Sequence, residues 1–222
     1  MIKTWIITAY DEEAKHIINL LDLKLLKKMP NVLFYWNDDI VLAQAWIGKI
    51  QAAVWTTVML CEFWAKKLIN IWIAGNLKGQ EIKIWDVFLV NKVIQHDVYM
   101  PFNGTHLYYL KDAINIPTHC NISTESLNFW YYENWVCVTW DQFIDDKDKS
   151  IELQKKYSAD IAEMEAFSVA AVAREFWVLE NTYIIKTVSD GADSDALDDH
   201  EDNLDFAMNN SLTIFRKVLE ID

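Results

Sequence analysis

The chain has 222 residues, a formal net charge of −13 and an apolar share of 52%, which suits one domain, residues 1–222, with a full-sized core. That composition, with 3 Pro and no low-complexity tract, excludes a disordered or fibrous chain, and the acidic balance argues against nucleic acid, whose phosphates need a cationic footprint. Two counts stand out together: 5 Gly, far below the roughly 7% that is usual, and 11 Trp, whose excess about fills the deficit.

The longest uncharged apolar stretch, Ile50 to Cys61, falls short of the roughly 18 residues of a membrane span. No apolar leader with a small-residue cleavage site precedes Asp11. A cytoplasmic protein that does not enter a membrane is therefore expected. Cys61, Cys120 and Cys137 are too far apart for a metal clip and odd in number, which predicts buried thiols.

In chain order the pattern predicts a strand over Ile2 to Ala9, a helix over Glu12 to Leu21, strands over Val32 to Trp36 and Ile40 to Ala45, and a helix over Lys49 to Ala65. Strands follow over Lys67 to Ala74, over Trp85 to Val98 with a break near Asn91, and over Trp135 to Thr139. The remainder reads as helices over Lys147 to Tyr157 and Ile161 to Phe176, a strand over Thr182 to Val188 and a helix over Glu201 to Leu219. Alternating β and α segments, several of the strands being continuous Val/Ile/Leu runs, give an α/β class with a central mixed sheet flanked by helices. In such sheets function gathers where strands end.

Four strand ends or helix starts carry candidate chemistry. Asp11-Glu12-Glu13 opens a helix, where one or two acids serve the dipole and a third is free to hold a water molecule. Glu163-Met164-Glu165 precedes the Ala-rich run Ser168 to Ala173, a setting in which carboxylates need partners. At least one of the two Glu is assigned to a ligand, since residues two apart point in different directions and a carboxylate can accept from two sugar hydroxyls. Ser189-Asp190 ends a buried strand, so Asp190 suits general acid work. Trp140 to Ile144 places Phe143 beside free backbone groups, suited to stacking on a planar base.

Other features carry less. Eight acids between Asp190 and Asp205 read mostly as a solvated loop leading into the last helix, and their spacing lacks the Gly and Glu of an EF-hand. His96-Asp97 has no third ligand at a useful spacing and reads as structural. Walker A, GxGxxG, HExxH and GxSxG are all absent.

These segments together resemble the nucleoside phosphorylase superfamily, and most closely its hydrolytic branch, the 5′-methylthioadenosine/S-adenosylhomocysteine nucleosidases. Ala9 to Glu13 is similar to the family's A-M-E-E-E, Trp46 to Lys49 to G-I-G-K, and Ile73 to Leu77 to S-A-G-G-L. Trp140 to Ile144 is similar to G-D-x-F-I, Glu163 to Glu165 to E-M-E, and Ser189 to Asp193 to S-D-x-A-D. The resemblance implies that Asp190 is the general acid toward adenine, with Ser189 orienting it, and that Glu13 activates the attacking water. Glu165 would bind the ribose hydroxyls and Met164 would line the sugar site. Phe143 and the backbone of Ile144 would hold the purine, Ile47 would touch the thioether end and Gly75 would line the ribose loop. It also implies a homodimer, a small-molecule nucleoside substrate, a place in methionine salvage, no cofactor and no metal. His200 falls where the family usually has an aromatic residue that reaches into the neighbouring subunit's pocket.

The departures share one form. Trp5, Trp36, Trp46, Trp55, Trp64, Trp72, Trp85, Trp135, Trp140 and Trp177 stand where the family usually has Gly, and Trp46, Trp72 and Trp140 would lie beside the pocket. Gly serves where φ is positive or where another group approaches closely. Two alternatives to the hydrolase therefore stay open: a catalytically impaired relative with a pocket narrowed by indoles, and a purine nucleoside phosphorylase, which would need a cationic phosphate pocket for which Lys186 is the main candidate.

Overall fold

The computed structural model describes residues 3–63, 67–99, 112–117, 120, 122 and 127–221. Its strands are β1 Thr4–Thr8, β2 Lys24–Met29, β3 Val32–Trp36, β4 Ile40–Ala45, β5 Lys67–Asn76, β6 Val87–Gln95, β7 Ile114–Asn115, β8 Tyr131–Thr139, β9 Ile161–Glu163 and β10 Thr182–Asp190. Its helices are α1 Asp11–Leu21, α2 Lys49–Glu62, α3 Lys147–Tyr157, α4 Ala166–Glu175 and α5 Ala196–Leu219.

The expected α/β architecture with a mixed sheet is present. Parallel pairings join β4, β1, β5 and β10, while β3 adds antiparallel to β4, and β2 to β3. From β10 the sheet continues antiparallel to β6, then parallel to β8 and β9. β9 then pairs antiparallel with the end of β5, Gly75 with Ala162 and Asn76 with Ile161. The path β5, β10, β6, β8, β9 thus returns to β5 and closes a barrel-like half. Its closure brings the ends of three chain segments, at Gly75, Glu163 and Asp190, to one place.

Strand alternation divides the core. Ile6, Leu42, Ile69 and Ile71 face α1 and α5, meeting Ile17, Met208, Ile214 and Phe215. Trp5, Ile7, Val41 and Leu68 face the other way, toward Trp55 and Met59 of α2 and Val169 and Ala173 of α4. Helices cover both faces, which explains the unbroken apolar runs.

Several boundaries differ from expectation. Ile161–Glu163 is a strand, not the start of a helix: sheet closure claims these residues, and the helix begins only at Ala166. β2 was not foreseen, since it is a Lys-rich, exposed strand without the alternation of a half-buried one. The break expected near Asn91 is a pair of register shifts between β6 and β8. Much of the acidic run lies within α5, which starts before Glu201. The expected strand's first residue, Ile2, and the helix end at Trp64 and Ala65 fall outside the described residues.

Two of the tryptophans occupy left-handed backbone. Trp177, at φ 61, follows α4; the Val178 N–H donates to the Ala173 carbonyl at 2.9 Å, the bond of a Schellman stop whose left-handed slot is usually Gly. Trp85, at φ 77, sits third in a turn closed by Asp86 N–H to Lys83 O at 3.1 Å, the slot a type II turn gives to Gly. Trp5, Trp55 and Trp72, by contrast, are buried among core side chains. Nothing in the structure accounts for an indole at Trp36, the exposed last residue of β3.

Candidate active site

The closure of the sheet assembles a cluster of buried carboxylates. Glu13, in the first turn of α1, accepts from the Tyr10 N–H at 3.1 Å and from Thr8 Oγ1 at 3.2 Å. Burial pushes its carboxyl up to about 7, even though both hydrogen bonds and the Lys186 ammonium pull the other way. Of the three acids at this helix start, Glu13 is the one that turns inward; Asp11 pairs with Gln44 at the site's rim.

Glu163 and Glu165, two residues apart, have opposite surroundings. The Glu163 carboxylate is saturated: Oε1 accepts from Thr139 Oγ1 at 2.5 Å, and Oε2 from Lys186 Nζ at 2.8 Å, Ala166 N–H at 2.8 Å and Glu165 N–H at 3.0 Å. Glu165 accepts only from the Gly48 N–H, at 2.7 Å through Oε1; its Oε2 is buried without a partner. Burial, and then the adjacent Glu163, raise the Glu165 carboxyl above its ordinary range. Gly48 reaches that bond from a φ of 103, which only glycine adopts cheaply. Asp141 accepts from the next amide, Lys49 N–H, at 2.7 Å and so anchors the start of α2.

Asp190 ends β10, nearly sealed from solvent. Its Oδ1 accepts from Ala192 N–H at 2.9 Å and its Oδ2 from Ser189 Oγ at 2.7 Å. Gly75 packs against it so closely that an added Cβ would stand 2.9 Å from Asp190 Oδ1. This glycine is therefore required by close approach.

A cavity of about 30 Å³ opens between these groups, walled by Gly75, Phe143, Ile144, Met164, Glu163 and Asp190 among others. It has room for a water molecule; a nucleoside enters only when Phe143 and its neighbours move apart. Of the residues expected at the site, Gly75, Phe143, Ile144, Met164 and Asp190 wall the cavity; Ser189 is bonded to Asp190 and the Glu165 amide to Glu163, while the carboxylates of Glu13 and Glu165 lie near Lys186 and are not among the cavity's walls. Ile47 is exposed at the mouth and does not line this cavity.

Three expectations are corrected. No indole is among the residues walling the cavity: Trp46 is exposed, Trp72 is buried beneath the Lys186 ammonium at 5.4 Å, and Trp140 packs edge-on to His96 at 4.9 Å. Lys186 is no phosphate site, because it is fully buried and bonded to Glu163. His200 points into its own chain's site, with Nδ1 3.7 Å from Asp190 Oδ2 and its ring edge-on to Phe143. His96 is structural as expected, its imidazole lowered to about 4 by burial. The bridging role of the Glu163–Lys186 pair was missed; a lone Lys inside an otherwise apolar strand was its one visible sign.

A family model described as the phosphorylase superfamily matches residues 3–221. The chain belongs to the phosphorylase superfamily. Among its relatives in this superfamily, a 5′-methylthioadenosine/S-adenosylhomocysteine nucleosidase of Buchnera aphidicola is 27% identical, covering 97% of this chain and 88% of its own. An aminodeoxyfutalosine nucleosidase of Helicobacter pylori is 30% identical, covering 87% of each. The fold matches that of the Helicobacter pylori methylthioadenosine/S-adenosylhomocysteine nucleosidase crystallised with butyl-thio-DADMe-Immucillin-A, with a TM-score of 0.85 at 23% identity over 99% of this chain and 98% of the other. The Colwellia psychrerythraea nucleosidase solved with adenine is equally similar, with a TM-score of 0.85 at 22% identity over 99% and 95%.

Proposed function

We propose that the chain hydrolyses the N-glycosidic bond of 5′-methylthioadenosine and S-adenosylhomocysteine and releases adenine. The observation that carries this reading is the unpartnered Glu165 Oε2, buried in a site shared with Glu13 and Asp190. An acceptor oxygen left open at such depth costs free energy until a donor reaches it, and a ribose hydroxyl is a donor of the right kind.

The residues then divide the chemistry. Asp190, oriented by Ser189, gives a proton to a purine ring nitrogen as the bond to the sugar breaks and its electron pair passes to the base. Positive charge grows on the sugar, as in other glycoside hydrolysis, and is stabilised by the ionised Glu165 and Glu13. Glu13 takes the proton of the water that attacks the anomeric carbon. Phe143 and Ile144 hold the purine, Met164 and Gly75 the ribose, and Ile47 the 5′ substituent once the mouth closes on it. Phosphorolysis is disfavoured, since Glu163 already neutralises Lys186.

The name of the Helicobacter pylori relative, at 30% identity, supports a second reading, cleavage of aminodeoxyfutalosine by the same residues. Adenine release from each nucleoside, with and without phosphate, decides among these. Phosphate-independent release is expected, and Asp190→Asn should lower it by about 10²–10⁴-fold with the fold intact. Strict phosphate dependence, or near-parent activity in that variant, overturns the assignment.

The same reading includes a homodimer in the cytoplasm serving methionine salvage. Ile47, Ile50 and Val54 form an exposed apolar stripe along the start of α2 beside the site, with Ile50 72% exposed, a face that a second copy would cover. Of the cysteines expected to be buried, Cys137 is, whereas Cys61 is exposed and Cys120 half-buried; none of the three is in a disulfide, which suits a reducing compartment. A monomer in sedimentation equilibrium would sink the dimer.

A further inference from the structure

The proposed reaction leaves a proton to be replaced. After each turnover Asp190 has lost a proton to the base and Glu13 has gained one from water, so the site resets only when a proton reaches Asp190. That carboxyl is sealed: its side chain is 2% exposed and Gly75 closes over it. Among the described residues, His200 spans the gap to solvent. His200, in the first turns of α5, is 30% exposed, with Nδ1 3.4 Å from Ser189 Oγ and 3.7 Å from Asp190 Oδ2. The Asn203 side-chain amide, one turn on, donates to the Ser189 carbonyl at 3.1 Å and ties the helix to the same strand end.

We infer that His200 is a proton relay that re-protonates Asp190 between turnovers. The imidazolium gives its Nδ1 proton to Asp190 Oδ2, directly or through the Ser189 hydroxyl, and keeps its Nε2 proton; the vacated Nδ1 is protonated again from solvent when the partly exposed side chain turns outward. Separations of 3.4 and 3.7 Å suit a contact that tightens as the site fills. Among the described residues, the carboxylates of Asp190 from β10 and Glu13 from α1 act on the ring, and Asp199 precedes it on its own helix, close to Asp193 and Asp195 of the preceding loop. The cation Lys147 stands 4.0 Å from Asp193. The ring's edge-on contact with Phe143, at 5.5 Å between centroids, couples the relay to the residue that must move for the purine to enter.

The inference rests on the nucleosidase reading, and one set of measurements separates the two. Adenine release is followed over pH for the parent, His200→Phe and His200→Ala, with and without added imidazole. Both variants should lose kcat by on the order of a hundredfold, with KM little changed, the loss growing as pH rises and free protons become scarce. Imidazole should restore His200→Ala, which leaves a space, and not His200→Phe, which fills it. Parent-like kcat in both variants, or a loss in KM that imidazole does not reverse, overturns the relay alone. A parent that releases no adenine overturns the nucleosidase reading and the relay with it.

Discussion

Glu163 and Glu165 stand two residues apart and are both buried, yet one carboxylate is fully bonded and the other is not. Glu163 is met by an ammonium, a hydroxyl and two amides. Glu165 is met by one amide and keeps an oxygen open. Burial alone therefore does not tell the two carboxylates apart; the unfilled valence does. The two are also linked, because Glu163 accepts from the Glu165 backbone amide and so holds the turn that presents the second carboxylate.

The sharpest test of that difference is to neutralise each in turn. Glu163→Gln leaves the Lys186 ammonium buried without a counter-charge and should cost about 3–5 kcal/mol in denaturant melts. Glu165→Gln should fold at least as well as the parent while kcat/KM falls roughly a hundredfold, the size of a lost charge-assisted contact in the transition state. Similar stability losses in the two variants would erase the distinction.

Glu13 extends the comparison to pH. Folding raises its carboxyl from 4.5 to about 7, so the folded chain binds the proton more tightly than the unfolded one. Its burial is free of cost below 4.5, loses stability as pH rises from there to about 7, and costs its full amount, about 3 kcal/mol, above that. Glu13→Gln should match the parent in acid and exceed it by up to that amount at about pH 8, while losing activity; equal melting at both pH values would refute the assignment. In the parent, the rate should climb through about 7 as Glu13 ionises.

The smallest expected effect lies outside the site. Trp177 is 93% exposed in the left-handed slot of a helix stop, so Trp177→Gly should stabilise by about 1 kcal/mol. Trp85→Gly should gain less, because the Trp85 indole donates to Asn203 at 3.1 Å and packs on Phe206. A loss of stability in Trp177→Gly would mean that the indole packs in solution as it does not here.

Much of the site was legible because motif residues sit at strand ends, where the chain order already places them: Glu13 after β1, Gly75 at the end of β5, Ser189 and Asp190 at the end of β10. What sequence could not show was long-range pairing. Ile161–Glu163 reads as helix locally and becomes strand only because β5 and β8 lie on either side of it. The Glu163–Lys186 bridge joins two segments whose proximity follows from that closure, and His200 was expected at a neighbour's pocket because nothing in its own stretch reveals that α5 folds back over Asp190.

The left-handed backbone under Trp85 and Trp177 has a consequence for the gene. Pressure on packing would not set an indole in a tight turn, a helix stop, the core and an exposed strand end alike, at positions where the family resemblance implies glycine. A single codon does so, if the organism reads as glycine what the sequence spells as tryptophan. Protein isolated from that organism would then carry glycine at 85 and 177, its peptides lighter by one indolylmethyl group at each, and a mass spectrum showing tryptophan there would close the question the other way.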